Sequence, residues 1–285
     1  MQKRSAWIAT GTLAFLGLVG ALLYWALQTP DGPLPNLANP WHEGVSLETR
    51  LESAQTGVGE GRVTMALHMV LEPGWKTYWR MPGDSGLAPK FDWSGSLNVQ
   101  SIELLWPTPR AFDELGERFY GYKGEVIWPL RVIANDPELP LQLSLKLDLG
   151  VCADVCIPTS IQSNLGVPAG ESERTAHADL IDAALAQVPK RAQDENIEVT
   201  VRLTDVKRHR ATLDIALSDP DRSPEMVIAS GLVGVYLGAS HPQGEEGFNL
   251  QLEAEAPETL KGKPLDLLFL YDLGKPGIEG TFFIE

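Results

Sequence analysis

The chain is expected to be all-β: two immunoglobulin-like sandwiches joined by a helix and preceded by one N-terminal transmembrane helix. Three observations lead there. Apolar residues alternate with polar ones over several short runs, such as Leu143, Leu145, Leu147 and Leu149 against Ser144, Lys146 and Asp148, the period of a half-buried strand. Glycine and proline punctuate the chain, 27 and 21 of 285 residues, at the frequency of a turn-rich β protein. Outside the first 28 residues, only one stretch repeats at helical spacing.

The N-terminus sets the compartment. Ser5 to Leu27 carries no charged side chain. As a helix it spans about 35 Å at ~1.5 Å per residue, enough for a hydrocarbon core of about 30 Å. Lys3 and Arg4 precede it, Asp31 and Glu43 follow, and the next basic residue is Arg50. This asymmetry keeps Met1 in the cytoplasm and exports the rest. A cleaved signal peptide is the rival, but the run is long and its exit carries Tyr24 and Trp25 instead of small residues. Both readings deliver the chain to an oxidising compartment, the periplasm of a bacterium.

The expected organisation is an anchor over 1–28, a linker over 29–44, a first sandwich over 45–170, a helical connector over 171–190 and a second sandwich over 191–285. The linker holds Pro30, Gly32, Pro33, Pro35, Asn36, Asn39 and Pro40, the composition of an extended tether. Val63, Met65, Leu67, Met69 and Leu71 form a half-buried strand whose other side holds Thr64, Ala66, His68 and Val70. Gly74 to Pro109 reads as short strands and long loops. From Ser172 to Val188, Leu180, Ile181, Ala184, Leu185 and Val188 recur at helical spacing, with Ser172 as cap and Pro189 as stop. Beyond it, Val199/Val201/Leu203, Leu213/Ile215/Leu217, Leu267–Leu270 and Thr281–Ile284 are further strands.

Composition excludes some functions. With 23 Lys and Arg against 38 Asp and Glu, the net charge is −15, and a nucleic acid partner needs the opposite sign. The five His are scattered without ligand spacing and read as surface or strand residues. No cofactor and no metal set is expected. Ser85 lacks the glycine pattern of a hydrolase elbow. Trp75, Trp79, Trp93, Trp106 and Trp128 read as core.

The chemistry rests on two cysteines, Cys152 and Cys156, at the end of the leucine-rich strand. In an extended chain their Cα atoms would lie ~13 Å apart, beyond the reach of a disulfide. If they pair, the chain reverses between them, with Gly150 and Pro158 flanking the bend. So small a ring adds little folding stability, which favours a pair made to open and close. Asp154 between the thiols disfavours a thiolate, and no basic residue is near in sequence. An inert surface disulfide and a Cu(I)-binding thiolate pair remain as alternatives.

Four ordered segments carry a resemblance: Trp75 to Gly86, Trp106-Pro107-Thr108-Pro109, Phe119-Tyr120-Gly121-Tyr122 and Cys152 to Pro158. Together they resemble the periplasmic N-terminal region of the DsbD family of thiol:disulfide interchange reductases. The resemblance is nearer to its ScsB-like branch, linked to suppression of copper sensitivity, which also has three residues between the cysteines. It implies an immunoglobulin-like domain that takes electrons from a membrane transducer and passes them to periplasmic thioredoxin-fold oxidoreductases, a protein-disulfide reductase-like activity. It implies Cys156 as nucleophile and Cys152 as resolving thiol. It further implies a cap loop, Glu117-Arg118-Phe119-Tyr120-Gly121, with Phe119 as lid, and Tyr78 beside the pair. Arg118 departs from the family's acidic pattern, so an acidic proton relay carries over only to Glu117. Full-length members continue into a multi-span transducer and a further thioredoxin-like domain. Neither appears in these residues, so a separate membrane electron donor is expected.

Overall fold

The computed structural model describes residues 34–83, 86–114, 116–218, 224–243, 247–272 and 274–285. The expected anchor over 1–28 and Ser85 lie outside the described residues. Among the described residues no helix is long and apolar enough to cross a membrane.

The fold is all-β. In chain order the first strands are β1 (His42–Gly44), β2 (Leu47–Ser53), β3 (Arg62–Leu71), β4 (Lys76–Gly83), β5 (Lys90–Asp92), β6 (Val99–Leu104), β7 (Arg110–Glu114), β8 (Glu117–Lys123), β9 (Glu125–Ala134), β10 (Leu141–Cys152) and β11 (Cys156–Val167). One sheet runs β1-β2-β3-β9-β6 and a second β11-β10-β4-β8-β7, with β5 added against β10. Helix α1 (Ala178–Leu185) follows. After it come β12 (Lys190–Arg191), β13 (Val199–Lys207), β14 (Arg210–Leu217), β15 (Met226–Ser230), β16 (Tyr236–Pro242), β17 (Gly247–Glu253), β18 (Pro264–Leu270) and β19 (Ile278–Phe283). They form sheets ordered β12-β19-β18-β15 and β13-β14-β17-β16.

Alternation decides what each strand buries. On β10, Leu143, Leu145, Leu147, Leu149 and Val151 enter the core between the first two sheets. They meet Met65, Leu67 and Met69 of β3 and the fully buried indole of Trp128 on β9. Trp79 is likewise buried, while Trp75, Trp93 and Trp106 pack on the rim of the same core. On β18, Leu265, Leu267 and Phe269 enter the second core, while Leu268 and Leu270 turn the other way and join the first. A strand buried on both faces loses its alternation, which is why Leu267–Leu270 reads as an unbroken apolar run.

Four expectations are corrected here. Residues 36–44 are not an extended tether. Ser53 N donates to Leu37 O (2.9 Å), Asn39 N to Leu51 O (3.1 Å), and β1 pairs with β2. The second face of β3 is also buried, because α1 lays Ala178 and Ile181 over Ala66 and Ala54. The helix itself is shorter than Ser172–Val188. Ser172 does not cap it but accepts a hydrogen bond from the Gln55 amide (2.9 Å), and the N-cap position is His177. His177 is neither a surface nor a strand residue but the buried N-cap of α1, while His68 does lie on a strand, β3. Both are buried around Glu52, with His68 Nδ1 at 2.9 Å and His177 Nδ1 at 3.5 Å from its Oε1. Burial pushes the Glu52 carboxyl up, but the His68 hydrogen bond and the charges of His68, His177 and Arg50 outweigh it and hold it below its ordinary value.

One threonine ties the second sheet pair to the rest. Thr108, two residues before β7, donates its hydroxyl to Gln187 O after α1 (2.8 Å) and accepts from Gly277 N before β19 (2.8 Å). Arg80 of β4 reaches Glu279 of β19 at 2.6 Å.

Candidate redox site

The leucine strand places the first cysteine by parity. Leu149 and Val151 face the core, so Gly150 and Cys152 face outward on the second sheet. The β10–β11 hairpin keeps one register from Leu141↔Val167 to Cys152↔Cys156, and its loop is Ala153, Asp154 and Val155. Directly opposed residues in an antiparallel ladder bring their Cα atoms close enough for a disulfide. Here the Cα atoms are 4.1 Å apart and the sulfurs are bonded. The reversal required by the spacing is thus a three-residue hairpin loop, with Val155 65% exposed at its tip.

The two sulfurs are not equivalent. Cys152 is 1% exposed and Cys156 is exposed. What covers Cys152 is a small outer cluster with Tyr78 and Phe119. The Tyr78 hydroxyl donates to Cys152 Sγ at 3.1 Å and lies 3.2 Å from Cys156 Sγ, so it spans the bond. Burial, reinforced by the carboxylates of Glu114 and Glu117, pushes the Tyr78 hydroxyl above its ordinary value. It therefore stays a protonated donor at neutral pH.

Glycines make room for that ring. A Cβ on Gly86 would come within 2.6 Å of the Tyr78 ring, and one on Gly150 within 3.2 Å. A Cβ on Gly121 would sit 2.1 Å from the Thr77 carbonyl oxygen. Thr77 Oγ1 donates to Gly150 O (3.0 Å), pinning β4 to the strand that carries Cys152.

The expected cap loop is a strand. Glu117 to Gly121 lies in β8 and pairs with β7 through Glu114↔Glu117 and Phe112↔Phe119. Phe119 is 9% exposed, its ring 6.0 Å from that of Tyr78 at 56°. Glu117 is exposed on the same face, near enough to act on Tyr78 by its charge. Tyr120 does not join the pair's surroundings. Alternation turns it, with Tyr122, into the core between the sheets. Arg118, the departure from the acidic pattern, clips the hairpin with bonds of 2.6 and 2.9 Å to the two Asp113 oxygens.

Two charged residues that the sequence did not single out belong to this face. Lys76 lies opposite Cys152 in the β4–β10 register. Its side chain is 5% exposed, its ammonium is 5.2 Å from the Phe119 ring centroid, and it pairs with Glu114. Glu114 also meets Lys123 at 3.2 Å. The Lys76 bond, opposed by partial desolvation and aided by Lys123, holds the Glu114 carboxyl below its ordinary value. The signal available in the sequence was parity, since Lys76 precedes Tyr78 by two residues and shares its strand face. Among the described residues, no group of three or more His, Cys, Asp or Glu is arranged to hold a metal ion.

Residues 49–167 match the family described as thiol:disulfide interchange protein DsbD, N-terminal. Among solved structures, the N-terminal periplasmic domain of ScsB from Proteus mirabilis is similar in fold, with a TM-score of 0.68 and 24% identity. That similarity covers 87% of this chain and 99% of the ScsB domain. A pair of titin immunoglobulin domains aligns at 8% identity and a TM-score of 0.18, covering 85% of this chain and 98% of that one, too remote to bear on the site. No curated protein sequence matches the chain.

Proposed function

We propose, from the match of residues 49–167 to the DsbD N-terminal family, that the protein is a periplasmic thiol–disulfide exchange module. In this reading Ser5–Leu27 anchors it in the inner membrane, and two sandwiches, over 45–170 and 191–285, stand in the periplasm with the helical connector between them. It takes electrons from a separate membrane donor and delivers them to a thioredoxin-fold oxidoreductase. The observation that carries the reading is the unequal burial of two bonded sulfurs under one tyrosine hydroxyl.

The geometry gives each sulfur a role. A donor thiolate attacks the exposed Cys156 Sγ. The Cys152–Cys156 bond breaks and Cys152 leaves as a thiolate, which the Tyr78 hydroxyl stabilises by donating to it. A second donor thiol resolves that mixed disulfide, and both cysteines are then reduced. In the outward half, the Cys156 thiolate attacks a disulfide of the acceptor. One acceptor sulfur bonds to Cys156, and the other departs as a thiolate and takes up a proton. Cys152 then attacks Cys156 Sγ, closes the ring and releases the second acceptor thiol. Two electrons pass from the pair to the acceptor.

Replacing Cys152 with Ala removes the resolving step. The Cys152→Ala protein is expected to accumulate a mixed disulfide through Cys156 with a periplasmic thioredoxin-fold protein, seen on non-reducing gels and identified by mass spectrometry. Trapping by Cys156→Ala alone reverses the two roles. Trapping by neither removes exchange as the function.

A further inference from the structure

The resolving thiol faces an energetic problem that Tyr78 only partly solves. Cys152 is 1% exposed, and burial disfavours a thiolate. A single hydroxyl shared between two sulfurs is a weak counterweight to a full charge. The nearest cation by strand register is Lys76, directly across from Cys152. Opposed residues on an antiparallel ladder hold their Cβ atoms about 4.5–5.5 Å apart on one face. Lys76, Cys152 and Cys156 therefore form a row across β4, β10 and β11.

In the oxidised, covered state the Lys76 charge is already engaged. Its partner, Glu114, lies on the β7–β8 hairpin, the same hairpin that carries Phe119 over Cys152. The lid and the counter-ion are thus one mechanical unit. The other charges facing this strip are Arg110 on β7, Glu117 and Lys123 on β8, and Asp154 in the loop between the cysteines. Lys123 also binds Glu114, so Glu114 keeps a cation when Lys76 leaves it.

Resting on the exchange function above, the geometry points to Lys76 as the counter-ion of the Cys152 thiolate, held by Glu114 under the closed hairpin and released to the sulfur when that hairpin lifts. The lid then does two things in one movement. It uncovers Cys152 and frees the cation that favours its ionised form. Ring closure is the step this accelerates: the Cys152 thiolate attacks Cys156 Sγ, and the partner sulfur leaves.

The test uses the reduced full chain in detergent with dithionitrobenzoate, a chromogenic disulfide, followed by stopped flow across roughly pH 5 to 9. Attack by Cys156 releases the first coloured thiolate, and ring closure by Cys152 releases the second. Lys76→Met is expected to slow the second phase roughly tenfold near neutral pH and move its pH midpoint up. The first phase should change little. Glu114→Gln, at a partly exposed position, is expected to act in the opposite sense, with a faster second phase and a lower midpoint. Opposite midpoint shifts are not what a merely structural role produces. Second phases in both variants within twofold of the parent, with unmoved midpoints, overturn the assignment. Absence of a second phase in the parent protein instead removes the exchange function itself.

Discussion

Gly121→Ala is expected to destabilise the protein by at least about 3 kcal/mol. The added Cβ would sit 2.1 Å from the Thr77 carbonyl oxygen and 3.0 Å from the Tyr78 Cα. Both are backbone atoms of β4, so no rotamer change relieves the contact, and β4 and β8 must part. That pairing, with Tyr78 opposite Gly121, holds the tyrosine against the sulfurs. The loss should appear as a lower midpoint of urea unfolding at an unchanged slope. Gly124→Ala is the control. Its Cβ meets nothing within 4 Å but the residue has φ +69°, so only a backbone cost of about 1 kcal/mol is expected. A Gly121→Ala protein as stable as that control contradicts the strand spacing.

Phe119→Ala is expected to expose Cys152. The ring packs with Tyr78 and Cys152 and beneath the Lys76 ammonium. Burying a phenylalanine side chain stabilises by about 1.5–3 kcal/mol, and each ~1.4 kcal/mol is a factor of ten. If most of that energy holds the hairpin down, alkylation of Cys152 in the reduced protein rises roughly tenfold to a hundredfold. Cys156, already exposed, should change little. Peptide mass spectrometry after timed iodoacetamide labelling separates the two sites. Unchanged labelling of Cys152 shows that Phe119 is not its cover.

What the sequence made legible followed from local periodicity. The leucines of β10 identified a strand, its inward face and, by parity, the outward face of Cys152. The four-residue spacing of the thiols required a reversal between them. Tyr78 and Phe119, both reached through the family resemblance, do lie against Cys152. What stayed illegible depends on pairings between distant segments. Nothing near Lys76 in the chain says that Cys152 will lie across from it, because the β4–β10 register joins residues 76 apart in sequence. Glu114 enters through a hairpin two strands away. The side of β3 that holds Ala66 reads as solvent-facing until α1, more than a hundred residues later, covers it. Tyr120 was misplaced because a contiguous loop motif treats neighbours alike, whereas a strand sends them to opposite faces. The Ser172 cap failed because the helix starts only at Ala178, with His177 at the N-cap, which leaves the Ser172 hydroxyl to accept from the Gln55 amide.

The central claim is that the Cys152–Cys156 bond cycles, and its reduction potential tests this most directly. Equilibration of the full chain in glutathione and dithiothreitol buffers, quenched with acid and scored by thiol labelling, yields the midpoint. A midpoint above about −300 mV is predicted, in the range where thiol–disulfide oxidoreductases exchange electrons. A bond that stays closed until well below about −300 mV behaves as a structural staple, and that result would contradict the account.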